Sequence, residues 1–316
     1  MSDRVTWLLP VKNGMPYLPE TLASIEVQTY RNWEILAWDD GSTDGTLEEL
    51  KKWIPSRLPG KIFTGESLGV GGALARLVEE CETELCARID ADDICLKDRL
   101  EKQVTYLQSH PEIAVLGSWM FVMNSHGVQN KHLYKVPQRH NDIVHFMLKE
   151  NSMAHPSVIF RRSAILAVGN YQRIPNVEDY DLWLRIAATH NYKLENLELP
   201  LVKYRLHENS ETRKASQNHR IQEATNECFY SHAPLLFGCS YGEAKLLRTQ
   251  QHPHTINAFY KIAVYLSRHQ GDNLIDRLNS KSFIQITKDL LPRKEWFSKI
   301  KFICLKLSNK NPYFYM

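Results

Sequence analysis

Four short apolar runs, Arg4–Leu9, Glu34–Trp38, Lys61–Thr64 and Leu85–Ile89, alternate with stretches of helical spacing. Tyr17–Gln28 repeats Leu18, Leu22 and Ile25 on one face, with Pro16 and Pro19 near its first turn, and Gly69–Glu82 reads as a second helix. Strands that alternate with helices imply right-handed βαβ units and a mostly parallel sheet, an α/β fold. Ligands of such sheets collect at the carboxyl ends of the strands. Three polar segments fall at those ends: Pro10-Val11-Lys12-Asn13, Asp39-Asp40-Gly41-Ser42-Thr43-Asp44-Gly45, and Asp90-Ala91-Asp92-Asp93. Pro10 is expected to stop the first strand, and Thr46-x-x-Glu49 to form a capping box for a helix through Trp53.

The third segment carries the strongest chemistry. On extended backbone, residues i and i+2 point the same way, so Asp90 and Asp92 would face one site together. Two hard anionic ligands suit Mg²⁺ or Mn²⁺, ions that take substrate phosphates as further ligands. The same residues would also serve as an acidic turn capping a helix that starts near Leu96. The Asp39–Gly45 loop has two readings as well. It has the composition of a surface turn, and a carboxylate at a strand end can accept the N3–H of a uracil ring. Gly69-Val70-Gly71-Gly72 follows the wrong strand for a dinucleotide fingerprint and lacks its spacing, so close helix packing is the better account.

Further on, Ile113–Met123 reads as a strand, Ile143–Lys149 as a helix, Ser157–Phe160 as a strand, Tyr180–His190 as a helix and Leu201–Arg205 as a last strand. From Arg213 only helices are expected, at 213–231, 241–250, 255–269, 272–279 and 293–308. Glu178-Asp179-Tyr180-Asp181 is ordinary chemistry for a helix start. It could equally supply a general base, which must reach the hydroxyl it deprotonates. Arg205 and His207 offer a guanidinium for phosphate and an imidazole for metal or phosphate, although either residue taken alone reads first as structural.

Charge divides the chain. Residues 1–210 hold 23 Lys and Arg against 28 Asp and Glu (−5), and residues 211–316 hold 16 against 8 (+8). We therefore expect an acidic domain over 1–210, the natural place for a cation site, and a basic helical region over 211–316 that meets something anionic. No apolar run approaches bilayer length. The six cysteines show no zinc spacing, which fits a reducing cytoplasm. In 293–308, Trp296, Ile300, Ile303 and Leu307 form one apolar stripe among lysines. That segment suits either a packed terminal helix or an interfacial one on an anionic membrane.

Taken in order, Leu9–Gly14, Asp39–Asp44, Ala87–Asp93, His155-Pro156-Ser157, Glu178–Trp183 and Tyr204–His207 resemble the family-2 glycosyltransferases of the GT-A fold, the type that builds bacterial surface polysaccharides. The resemblance spans about residues 4–210. It implies an inverting transfer from a UDP-sugar to a glycan hydroxyl, with Mn²⁺ or Mg²⁺, as in lipopolysaccharide, capsule or O-antigen assembly. Asp40 would bind uracil, with Pro10, Val11 and Asn13 lining the nucleoside pocket and Arg88 and Asp90 completing the nucleotide site. Asp90 and Asp92 would be the DxD pair, Asp92 the direct metal ligand, with His207 beside it. Asp179 would be the base, flanked by Glu178, and Arg205 and His207 would steady the leaving diphosphate. Ser67 and Ala75 stand where relatives often carry Asn. The acceptor would be lipid-linked or polyprenyl-diphosphate-linked, at the inner face of the cytoplasmic membrane, and no nucleic acid is expected. A sugar-nucleotide nucleotidyltransferase would need a Gly-rich, basic loop where Pro10–Pro16 stands. A non-catalytic nucleotide-sugar-binding protein would lack the DxD pair or Asp179.

Overall fold

The computed structural model describes residues 3–208, 210, 220–249, 262 and 265. Its strands are β1 (Val5–Val11), β2 (Trp33–Asp39), β3 (Gly60–Thr64), β4 (Leu85–Arg88), β5 (Ile94–Cys95), β6 (Ile113–Asn124), β7 (Gln129–Tyr134), β8 (Ile159–Arg161) and β9 (Lys193–Leu206). They form one mixed, mostly parallel sheet in the order β3-β2-β1-β4-β8-β6-β9-β5, with β7 paired to β6. Parallel pairing sets Val11 opposite Asp39 and Leu8 opposite Arg88, so the polar ends of β1, β2 and β4 are neighbours. That is the convergence the βαβ pattern predicts.

The sheet separates two apolar layers, because alternate strand residues face opposite sides. Val5, Trp7 and Leu9 pack with α1 (Leu18–Glu26), α2 (Thr46–Trp53) and α4 (Arg99–Ser109). Leu8, Leu36 and Trp38 pack with α3 (Gly69–Glu80), α5 (His140–Phe146), α6 (Arg162–Ala167) and α7 (Glu178–Ala188). The second layer continues past residue 210. Phe229, Ala233, Leu236 and Phe237 of α8 (Arg220–Phe237) and Ala244 and Leu247 of α9 (Tyr241–Thr249) lie in the same cluster. Arg248 closes the seam by donating to the Tyr180 hydroxyl (2.8 Å) and the Met147 carbonyl (3.3 Å).

Several local expectations are corrected. Pro10 does not stop β1, which runs on to Val11. Strand β4 ends at Arg88, and residues 90–93 form a turn closed by the Asp93 N–H on the Asp90 carbonyl (3.3 Å). A turn, not strand alternation, therefore gathers the carboxylates. The capping box is absent: Gly45 precedes α2 at φ +90°, and Glu49 turns to Trp53 Nε1 and Lys52. His155–Ser157 is a 3-10 turn, followed by the short antiparallel β8. Helix α5 starts before Ile143 and ends at Phe146. Strand β9 begins well before Leu201, with register shifts around Pro200 that hide its periodicity. The helices expected at 255–269, 272–279 and 293–308 lie outside the described residues, apart from helical Ile262 and Tyr265.

Packing places α3 against the site. A Cβ at Gly71 would collide with the Gln172 carbonyl and approach Glu178 Cβ to 3.0 Å. Gly71 and Gly72 are there for close approach, as expected, whereas Gly69 stands in open space at φ +69°, a conformation that favours glycine. Arg99 is fully buried and donates to the carbonyls of Arg88 (2.7 Å), Pro156 (2.8 Å) and Val158 (3.0 Å). These bonds fix the exit of β4 against the His155–Ser157 turn.

Candidate active site

At the exit of β4, Arg88 is buried and grips Asp90 with both terminal nitrogens, one at 2.6 Å. Burial pushes Asp90 up to about 6 against the pull of Arg88. Asp92 Oδ2 lies 2.8 Å from His207 Nε2, which brings the end of β9 onto the turn. Asp93 is fully buried. Its Oδ1 accepts the Arg205 N–H (2.8 Å), its Oδ2 has no partner among the described residues, and burial pushes it well above the carboxylate range. Oxygens of Asp90, Asp92 and Asp93 lie within 4.8 Å of one another. Carboxylates beside an imidazole, with one buried oxygen unpartnered, are a donor set that fits one hard divalent cation.

Arg205 does not have the expected freedom. Its side chain is buried, donating to Glu20 Oε2 (2.6 Å), the Asp92 carbonyl (2.8 Å) and the Ser125 carbonyl (3.3 Å), with Tyr17 beneath it at 4.6 Å. A guanidinium so committed ties β9 and α1 to the acidic turn. His207 stays with Asp92, against the Tyr17 ring.

The Asp39–Gly45 loop is zipped to the end of β1. Asn13, at φ +54°, donates its N–H to Ser42 Oγ (2.8 Å) and accepts the Thr43 N–H on Oδ1 (2.9 Å). Gly14 and Met15 donate their N–H groups to Thr46 Oγ1 (2.8 Å) and Asp44 Oδ2 (2.9 Å). Pro10 and Val11 are buried at the floor between these loops. Asp40 is occupied. It accepts the N–H groups of Leu68 (2.6 Å) and Gly69 (3.0 Å), the Ser67 hydroxyl (2.9 Å) and Trp38 Nε1 (3.3 Å). It therefore satisfies orphan donors at the start of α3, as an N-cap carboxylate would. Its neighbour Asp39 is also buried, yet its Oδ1 has no partner among the described residues.

Glu178 and Asp179 open α7. Burial, and next the charge of Asp179, push Glu178 up to about 8. Burial also raises Asp179, opposed by the Tyr180 N–H on Oδ1 (2.7 Å), the charge of Arg88 and the Asn151 amide on Oδ2 (2.6 Å). His155 Nδ1 lies 3.9 Å from Asp179 Oδ2, and burial keeps this imidazole neutral far below its usual range. Asp181 points elsewhere. Burial works against its charge, but His232 (2.8 Å) and Arg185 (2.6 Å) hold it below the carboxylate range. Arg88 links the two acidic groups, since its charge acts on Asp90, Glu178 and Asp179 alike.

A mostly parallel sheet with acidic groups at its carboxyl edge and a helical C-terminal part defines a GT-A-type transferase. The crystal structure of S. aureus TarS 1-349 in complex with UDP-GlcNAc has this fold, with a TM-score of 0.62 at 17% identity over 99% of this chain and 93% of that one. The mannosyltransferase PcManGT from Pyrobaculum calidifontis in complex with GDP-Man and Mn²⁺ gives 0.59 at 17% identity, over 99% and 88%. The model of glycosyl transferase family 2 matches residues 6–168, and this chain belongs to that family. Among its relatives is the amylovoran biosynthesis glycosyltransferase AmsE of Erwinia amylovora, 36% identical over 189 residues (60% of this chain, 70% of AmsE). The O-antigen biosynthesis glycosyltransferase WbnJ of Escherichia coli is 33% identical over 216 residues (68% and 84%). The E. coli UDP-Gal:alpha-D-GlcNAc-diphosphoundecaprenol beta-1,3-galactosyltransferase is 28% identical over 214 residues (67% and 77%).

Asp39 and Asn151 were not singled out by the sequence. Asp39 shares a dipeptide with Asp40, and only the position of α3 distinguishes them. Asn151 stands in a stretch without periodicity.

Proposed function

We propose that this family-2 glycosyltransferase moves a hexosyl or N-acetylhexosaminyl group from a UDP-sugar to a glycan hydroxyl, with inversion, during assembly of a bacterial surface polysaccharide. The observation that carries this reading is the pair of acidic groups, Asp90–Asp92 with His207 and Glu178–Asp179, set around one buried arginine, Arg88. Asp92, His207 and Asp90 would hold Mn²⁺ or Mg²⁺, which when bound supplies positive charge to the leaving diphosphate. Asp39 or Asp40, adjacent buried carboxylates at the end of β2, would accept the uracil N3–H; Asp39 has an oxygen without a partner among the described residues, and Asp40 would have to exchange one of its own. Pro10 and Val11 lie beneath the base, and Asn13 braces the loop above.

Asp179 takes the acceptor proton as the acceptor oxygen attacks the anomeric carbon. The bond from that carbon to the diphosphate oxygen breaks with its electron pair leaving on UDP. A single displacement inverts the carbon, so an α-linked donor gives a β-glycoside. A carboxylate raised by burial is closer in pKa to its task at neutral pH. Glu178, pushed up to about 8, stays largely protonated there and relieves the repulsion that a second charge would impose on Asp179.

The names of AmsE and WbnJ support the polysaccharide setting, and that of the galactosyltransferase supports a polyprenyl-diphosphate-linked acceptor. Such an acceptor would suit the excess of positive charge over 211–316, which favours an anionic membrane surface, while α8 and α9 within it stay packed on the catalytic half. No described helix is long and apolar enough to cross one. The test is a panel of UDP-sugars with Mn²⁺, read as UDP release with and without a GlcNAc-diphosphoryl lipid. Acceptor-stimulated, EDTA-sensitive release with one donor is expected. Binding of UDP-sugars without turnover would overturn the reading.

A further inference from the structure

We propose that Asn151 is a positioning residue of the transfer reaction, whose amide fixes the Asp179 carboxylate in the orientation from which it takes the acceptor's proton. This rests on Asp179 being the base. The two oxygens of Asp179 have different restraints. Oδ1 accepts the N–H of Tyr180, a bond at the start of α7 that does not depend on Asn151. Oδ2 accepts from Asn151 Nδ2 at 2.6 Å, the one side-chain amide on this carboxylate among the described residues. Both together leave the carboxylate plane no freedom to rotate about χ2.

The amide has only one sensible orientation. Asn151 Oδ1 accepts the Met153 N–H (3.1 Å), so the NH₂ must face Asp179. Turned over, the amide would set oxygen against a carboxylate oxygen and lose the Met153 bond. The segment that carries Asn151 is itself pinned. Met147 at its start receives the Tyr180 hydroxyl and Arg248 (3.3 Å) on its carbonyl. Ser152 at its end donates to the Ile143 carbonyl (3.2 Å) and accepts Asn196 Nδ2 (3.1 Å). A base held this way is already oriented before the acceptor arrives, which lowers the entropy lost at the reacting centre.

The second effect of the amide is electrostatic. The groups that bear on Asp179 are Glu178 beside it, His155 at 3.9 Å, Arg88 from β4, and Asp90, Tyr171, Tyr134 and, from α8, Cys228, which feel its charge. Burial favours the neutral acid, and the Asn151 N–H favours the carboxylate that must accept the proton. Removing that N–H loosens the base and protonates it at higher pH.

The experiment compares Asn151→Ala, Asn151→Asp and Asp179→Asn in the full chain. UDP affinity, the pH profile of UDP-galactose and UDP-GlcNAc turnover with Mn²⁺, and a ¹³C-carboxyl NMR titration are measured. The Asp179 signal, assigned by its loss in Asp179→Asn, needs no substrate. In Asn151→Ala we expect unchanged UDP affinity, turnover at neutral pH lower by about tenfold or more, and an acidic limb and Asp179 titration moved up by about one pH unit. Asn151→Asp sets like charges face to face and should move both further up; being nearly isosteric, it also serves if the alanine variant fails to fold. Unmoved titration and turnover in an Asn151 variant, alongside an inactive Asp179→Asn, would refute the positioning role alone. An Asn151 variant that loses only thermal stability would refute it equally. Wild-type turnover by Asp179→Asn would remove the base assignment and this proposal with it.

Discussion

His207 Nε2 and Asp92 Oδ2 meet at 2.8 Å, although the two residues come from the far end of the last strand and the turn after β4. The contact makes the acidic turn depend on β9, which enters the sheet more than a hundred residues later. Asp92→Asn keeps the shape of the side chain and removes its charge. Turnover should fall by at least ~10³-fold with loss of Mn²⁺-dependent UDP-sugar binding. His207→Ala should weaken Mn²⁺ by about 10–100-fold, whether the ring ligates the ion or orients Asp92. Isothermal titration with Mn²⁺ and UDP reads both, and EDTA-insensitive activity in the parent would remove the metal assignment.

Asp39 and Asp40 should separate under mutation. Asp40→Ala leaves the Leu68 and Gly69 N–H groups and the Ser67 hydroxyl without their acceptor, and should cost about 2–4 kcal/mol of stability. Asp39→Asn should leave the melting temperature close to the parent and weaken UDP. Differential scanning calorimetry beside UDP titration checks the pair. If Asp40→Asn keeps its stability but loses UDP, the base contact belongs to Asp40.

Arg205→Met tests whether that guanidinium builds the site or binds phosphate. Loss of its bonds to Glu20, Asp92 and Ser125 should cost about 2–4 kcal/mol. The affinity for free UDP should change by less than about threefold, well under what a lost charge-assisted phosphate contact produces. A large drop in UDP affinity at unchanged stability would return Arg205 to the diphosphate.

Glu178 gives the fold a pH signature. Its folded pKa, about 8, stands above the ordinary glutamate value. A raised carboxyl adds stability at low pH, and that contribution is lost as pH rises through the folded value. The protein should therefore lose stability between about pH 4.3 and about 8 through this group. Glu178→Gln, neutral throughout, should flatten that part of a melting-temperature profile. An identical profile in both proteins would mean that Glu178 ionises normally.

How much of this was legible differs by element. The parallel half of the sheet and the three polar strand ends follow from apolar runs and helical spacing alone, because each buried strand and its helix carry a local signature. Gly71 and Gly72 were legible for the same reason. Asp90 and Asp92 were correctly drawn to one place, but by alternation that the backbone does not have after Arg88. Arg205 and Asp40 look like ligand residues in the sequence and prove to be occupied. Their partners, Glu20 and Ser125 for one and the start of α3 for the other, are remote in sequence, so no spacing rule connects them. Asn151 matters only through Asp179, twenty-eight residues away; β5 and α6 are too short to show a period, and β7, Gln-Asn-Lys-His-Leu-Tyr, has no apolar run to mark it.

Arg248 reaches from α9 to the Tyr180 hydroxyl and the Met147 carbonyl, the two supports on either side of Asn151 and Asp179. The family match ends at residue 168, yet this brace comes from eighty residues beyond it. In a chimera that replaces the C-terminal segment, the joint cannot be placed at residue 210 without parting the base from its brace. A transplant that respects the architecture would carry α8 and α9 with the host's catalytic half and begin the foreign chain after Thr249.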